Sequence, residues 1–135
     1  MRLLVLIALG LCLLSHHVVC QSSTEDDPPT ALWRGIKQEL SGPHGREYFE
    51  KKIKDALLPP LYGVLVSSTP ADHPTEFLVA MAGNSHPEVT LKLYGRQNPL
   101  APGTPIWFDG IGEAFTSEPF MLTFRLEAVR PGSER

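Results

Sequence analysis

Two adjacent prolines, Pro59 and Pro60, divide the sequence into parts with different hydrophobic periods. Proline lacks a backbone N–H and fits neither a helix interior nor a central strand, so no regular element should cross this point. Before it, apolar residues recur at helical spacing. Leu32, Ile36 and Leu40 fall at i, i+4 and i+8 with Trp33 beside them, and the run Ser41-Gly42-Pro43-His44-Gly45 stops the helix they imply. A second helix is expected from about Arg46 to Leu58, with Phe49, Ile53, Ala56 and Leu57 as its apolar stripe. Glu47 with Lys51 and Glu50 with Lys54 place the acid four residues before the base, the favourable order.

After Pro60 the pattern is extended. Leu61 to Ser68 carries Val64 and Val66 on one parity and Gly63 where a strand could bend. Glu76 to Ala82 is a mostly apolar strand. Glu88 to Tyr94 alternates, with Val89, Leu91 and Leu93 inward and Thr90, Lys92 and Tyr94 outward. Thr104 to Phe115 reads as one long strand interrupted by Gly110 and Gly112. Phe120 to Val129 alternates again, with Leu122, Phe124 and Leu126 inward. Five short strands separated by turn-forming segments suggest a small antiparallel barrel or meander. A chain of 135 residues has room for one domain of this kind.

The N-terminus addresses compartment. Arg2 precedes an unbroken apolar run from Leu3 to Leu14, and Val18-Val19-Cys20 leads into polar Gln21. This is the layout of a secretory signal peptide over residues 1–20, followed by a flexible leader over 21–29, and it implies a secreted or periplasmic protein. The run rises only about 18 Å as a helix against a hydrocarbon core of roughly 30 Å, so no stable membrane span is expected after cleavage. Lipidation at Cys20 is the competing reading. Cleavage removes both cysteines, Cys12 and Cys20, leaving no thiol for a disulfide, a Cys₄ zinc site or a nucleophile. It also removes Arg2, so 12 basic residues against 15 acidic become 11 against 15, a formal charge of −4. That balance excludes a nucleic-acid backbone as an expected partner.

Gly103-Thr104-Pro105-Ile106-Trp107-Phe108-Asp109-Gly110 and the glycine-bent segment Leu61-Tyr62-Gly63-Val64-Leu65-Val66 resemble strands four and one of OB-fold modules. The segment Phe115-Thr116-Ser117-Glu118-Pro119-Phe120-Met121-Leu122-Thr123-Phe124, with Tyr48-Phe49-Glu50 and Leu58-Pro59, is similar to uncharacterised secreted bacterial modules, some attached to tetratricopeptide repeats. The resemblance implies a binding or scaffolding module. The resulting expectation is an α+β domain: two N-terminal helices, within residues 30–60, packed on a five-stranded antiparallel OB-like β-barrel over residues 61–130.

No residue pattern calls for an enzyme or a cofactor. His73, His86, Asp72, Glu76 and Glu88 fall in one stretch but match no metal-ligand spacing, so no metal is expected. No GxSxG elbow is present, and Gly110-Ile111-Gly112 lacks the third glycine and the following helix of a phosphate loop. Alternation instead places Lys92, Tyr94, Trp107 and Arg125 on the outer sheet face, where flat rings and hydrogen-bond donors could hold a ligand. The expected function is therefore a non-enzymatic protein-interaction module using edge strands or the helices. The alternative is a small-molecule or glycan binder using the face around Tyr94 and Trp107.

Overall fold

The computed structural model describes residues 27–132. The signal-peptide reading and most of the leader lie outside the described residues. Helix α1, Pro28–Ser41, starts where the Asp27 side chain accepts the Thr30 N–H at 3.2 Å, and its first turn holds prolines that need no donor there. Its buried stripe is Trp33, Ile36 and Leu40, and Gly42 ends it by donating its N–H to the Glu39 carbonyl. Helix α2, Gly45–Tyr48, follows at once. A Cβ on Gly45 would lie 2.0 Å from the Leu40 carbonyl oxygen, so the close approach of the two helices needs glycine. From α2 the chain continues as a π-helical turn, Phe49–Ile53, that buries Phe49 and Ile53.

The second helix was expected to reach Leu58 but stops at Ile53. Lys54 is extended, Asp55 takes the left-handed conformation at φ 59°, and Leu57 is 68% exposed instead of lying in an apolar stripe. The reason lies in the sheet that follows.

Seven strands form one mixed sheet: β1 Leu61–Thr69, β2 Glu76–Met81, β3 Pro87–Leu93, β4 Pro105–Phe108, β5 Ile111–Ser117, β6 Phe120–Leu126 and β7 Arg130–Pro131. Their order is β5-β6-β3-β2-β1-β4-β7. This corrects the expected five-stranded antiparallel OB-like barrel in three respects. The stretch Thr104 to Phe115 is two strands, β4 and β5, broken at Asp109-Gly110. β3 and β6 pair in parallel, because the long connection between them carries the chain back to the same end. The sheet is open, ending at β5 on one side and β7 on the other, with no ladder between them among the described residues.

The sheet is nevertheless strongly coiled. Laid flat at about 4.8 Å per strand, β4 and β5 would be roughly 24 Å apart. Their two-residue link spans at most about 11 Å. Coiling brings the Phe108 ring on β4 to 5.9 Å from Phe124 on β6, and a Cβ on Gly110 would lie 2.9 Å from the Phe124 Cβ. The core fills the concave side, with Phe77, Val79, Leu91, Ile106, Leu122 and Phe124 fully buried.

Alternation along β3 and β6 agrees with the residues: Val89, Leu91 and Leu93, then Leu122, Phe124 and Leu126, are all buried. β1 has the opposite parity to its valines. Leu61, Gly63 and Leu65 face inward and Val64 is 37% exposed. Alternation puts position 63 on the inner parity, and it is glycine because a Cβ there would meet Val79 Cγ1 at 2.4 Å.

Residues 54–58 are a strap along the outer edge of β5. Asp55 N–H donates to the Gly112 carbonyl at 2.9 Å, Gly112 N–H to the Ala56 carbonyl at 3.1 Å, and Leu58 N–H to the Gly110 carbonyl at 3.1 Å. These bonds replace the last helical turn. They need Gly112, where a Cβ would sit 2.2 Å from the Ile53 carbonyl oxygen. On another side, α1 is clamped to the sheet: Trp33 meets Phe120 edge-on at 6.1 Å, and Lys37 Nζ lies 2.5 Å from Glu88 Oε1. Asn84 Nδ2 donates to the same carboxylate oxygen.

Candidate functional site

Lys92 and Arg125 are neighbours across the β3–β6 ladder. Both are already ion-paired, Lys92 to Glu113 at 3.0 Å and Arg125 to Asp55 of the strap at 3.3 Å. Tyr94 lies one residue beyond β3, held by its N–H to the Leu126 carbonyl at 3.1 Å, with 71% of its surface exposed. Trp107 points outward from β4 between buried Ile106 and Phe108, half-buried, its ring 5.1 Å from Tyr62. No single patch unites the four residues. In the strand order β1 and β2 separate β4 from β3, so Trp107 faces a different part of the surface from Lys92.

Tyr94 and Arg125 do meet, at a cleft of ≈ 480 Å³ between the strap, the end of β3, the β4–β5 joint and the end of β6. Its walls include Leu57, Tyr94, Arg96, Asp109, Arg125 and Glu127; neither Lys92 nor Trp107 is among them. The backbone sets this geometry. Gly95 N–H donates to the Glu127 carbonyl at 3.0 Å, and a Cβ on Gly95 would lie 2.5 Å from that oxygen. Glycine thus lets the segments after β3 and β6 run side by side, bringing Tyr94 and Arg96 opposite Glu127. The Gln97 side chain accepts the Val129 N–H at 3.0 Å and holds the pair together further on.

None of Leu57, Arg96, Asp109 and Glu127 was among the ligand-binding residues expected from the sequence. Leu57 reads as a helix-stripe residue, and only the strap hydrogen bonds turn it out. The other three are charged loop residues whose convergence depends on how the sheet coils. Arg125 is paired with Asp55, whereas Arg96, Asp109 and Glu127 are exposed and have no ion-pair partner among the described residues. The cleft therefore offers an aliphatic side chain, an aromatic ring, a free guanidinium and two free carboxylates. Such a surface suits contacts that combine apolar burial with directed hydrogen bonds.

Other routes to function have less material. Among the described residues, no three His, Cys, Asp or Glu side chains gather as a metal site. His73 and His86 are exposed, and Glu88 is committed to Lys37 and Asn84. No described helix is long and apolar enough to cross a membrane. The end edges of the sheet are obstructed: the strap occupies the start of β5, and β7 is two residues long and ends in proline. Comparison with protein-family models, curated proteins and solved structures found no match.

Proposed function

We propose that this protein is a non-enzymatic binding module, secreted or periplasmic, that engages a protein partner through the cleft between Leu57 and Tyr94. One observation carries the reading. The two most exposed large apolar side chains among the described residues, Leu57 at 68% and Tyr94 at 71%, border the same concavity. Exposing such groups has no folding benefit, and side by side they supply the apolar contact on which interface hot spots are built. Arg96 adds a side chain of the type enriched at such centres, with Asp109 and Glu127 as a polar rim. Both carboxylates are exposed, without the apolar enclosure that acid–base catalysis uses, which supports binding over catalysis. The obstructed sheet ends favour the cleft over strand addition as the contact surface.

The test is site-specific photo-cross-linking in the native cell, with benzoylphenylalanine at position 57 or 94, and at exposed Glu39 on α1 as a control. The expected result is one discrete protein captured from 57 and 94 and not from 39. In a purified pair, Tyr94→Ala should then weaken binding roughly tenfold or more. A captured protein that binds Tyr94→Ala and Leu57→Ser as tightly as the wild type would overturn the reading.

A further inference from the structure

The residues around Trp107 carry a second inference, independent of the cleft. Cross-strand pairing aligns Tyr62 on β1 with Trp107 on β4, and Trp107 with Arg130 on β7. Directly opposed residues project to the same side of a sheet, so these three form a row across three strands. Leu61 and Gly63 flank Tyr62 and are buried, as are Ile106 and Phe108 beside Trp107, which fixes the row on the outer face. The two rings lie 5.1 Å apart at 58°, a tilted contact, and Trp107 is half-buried. Arg130, like Arg96 and Lys52, is exposed and has no ion-pair partner among the described residues, whereas Lys37, Lys51, Lys54, Lys92 and Arg125 are each paired.

We infer that this row is a binding platform for a short carboxylated saccharide. A sugar ring presents a flat face of C–H groups that packs on an indole, and successive rings suit a row running across strands. The guanidinium is a rigid fork that matches a planar carboxylate with two parallel hydrogen bonds. An unpaired arginine one strand from a half-buried tryptophan provides both contacts for a uronic-acid residue. The formal charge of −3 gives no long-range attraction for a polyanion, so the platform recognises one carboxylate at short range.

The probe is a galacturonic-acid trimer, with its fully methyl-esterified form as the uncharged control. The chain has two tryptophans, and Trp33 is only 3% exposed, so a ligand-dependent emission change that alters acrylamide quenching reports Trp107. The expected result is a saturable change with the acid. The methyl ester and the Arg130→Gln variant should each bind at least roughly tenfold more weakly, the effect of losing a charge-assisted hydrogen bond. Arg130 is exposed at the sheet end, so Arg130→Gln folds, and a circular-dichroism melt checks this. No saturable change, equal binding of acid and ester, or undiminished binding by Arg130→Gln overturns the inference. Saturation by a proline-rich peptide instead of the saccharide would also overturn it and assign the aromatic row to peptide recognition.

Discussion

Replacing Lys37 with methionine removes an ammonium while keeping an apolar stem of similar length on α1. Its partner Glu88 is 5% exposed, and the carboxylate would keep only the Asn84 amide for company. Breaking a fully buried pair from one side costs about 3–5 kcal/mol, because a charge is left uncompensated. Here the Lys37 side chain is 41% exposed, so water screens its half of the interaction and can partly replace it. We therefore expect Lys37→Met to cost about 1.5–2.5 kcal/mol. Glu88→Gln keeps an acceptor for Asn84 and frees Lys37 toward solvent, and should cost about 0.5–1 kcal/mol. The double variant should resemble Glu88→Gln alone, since no buried charge remains, giving a coupling equal to the Lys37→Met cost, about 1.5–2.5 kcal/mol. Urea melts followed by Trp33 emission read this directly, because that indole is 3% exposed and packs against Phe120 where α1 meets the sheet. Additive costs, with coupling below about 0.3 kcal/mol, would refute the clamp as an electrostatic device.

Three further tests, using five substitutions, address the fold and the strap. Phe124→Ala should cost about 3–5 kcal/mol, as Phe124 is fully buried against Phe108, whereas half-buried Thr123→Ala should cost under about 0.5 kcal/mol; equal costs in urea would mean a slipped β6. Gly112→Ala drives a methyl into the Ile53 carbonyl and should cost about 1–3 kcal/mol, with faster hydrogen exchange at the Asp55 and Leu58 amides; unchanged protection there would discount the strap bonds. Asp55→Val should lower stability by about 1–2 kcal/mol and Asp55→Gly should not, since φ at 59° is hostile to a β-branched residue; equal melting temperatures for the two would contradict the left-handed assignment.

The parts of the fold that could be read in advance are those where local pattern and burial coincide. Val89-Thr90-Leu91-Lys92-Leu93 and Leu122-Thr123-Phe124-Arg125-Leu126 alternate strictly, and each has one buried face. The helical stripe through Ile36 and Leu40 was equally legible, except that its buried first member is Trp33, expected only beside the stripe, while Leu32 is partly buried. β1 misleads because its inward position between Leu61 and Leu65 is Gly63, a residue that scores as nothing although its vacancy is what Val79 fills. The helix through Leu57 misleads because helical period persists in the letters after the backbone has left to pair with β5. β7 is too short to carry any period. For the candidate site the difficulty is different. Parity places Tyr94, Lys92, Trp107 and Arg125 outward, but parity is silent on which strands are neighbours. The order β5-β6-β3-β2-β1-β4-β7 sends Trp107 away from the rest and brings Arg96, Asp109 and Glu127 to Tyr94 instead.

The parallel seam between β3 and β6 has a kinetic consequence. β1, β2 and β3 pair successively as neighbours in the chain, and β5 with β6 is another local hairpin, so both halves can form early. Joining them requires residues 94–119 to close as a loop before any seam contact rewards it. Refolding should therefore wait on docking of β6 against β3, and truncating Leu122 or Phe124 should slow folding, while loosening the Lys37–Glu88 clamp should chiefly speed unfolding. Tyr94 comes from one side of that seam and Arg125 from the other. The cleft consequently does not exist in either half alone; a nascent chain acquires the surface proposed for binding only at the step that commits it to the native state.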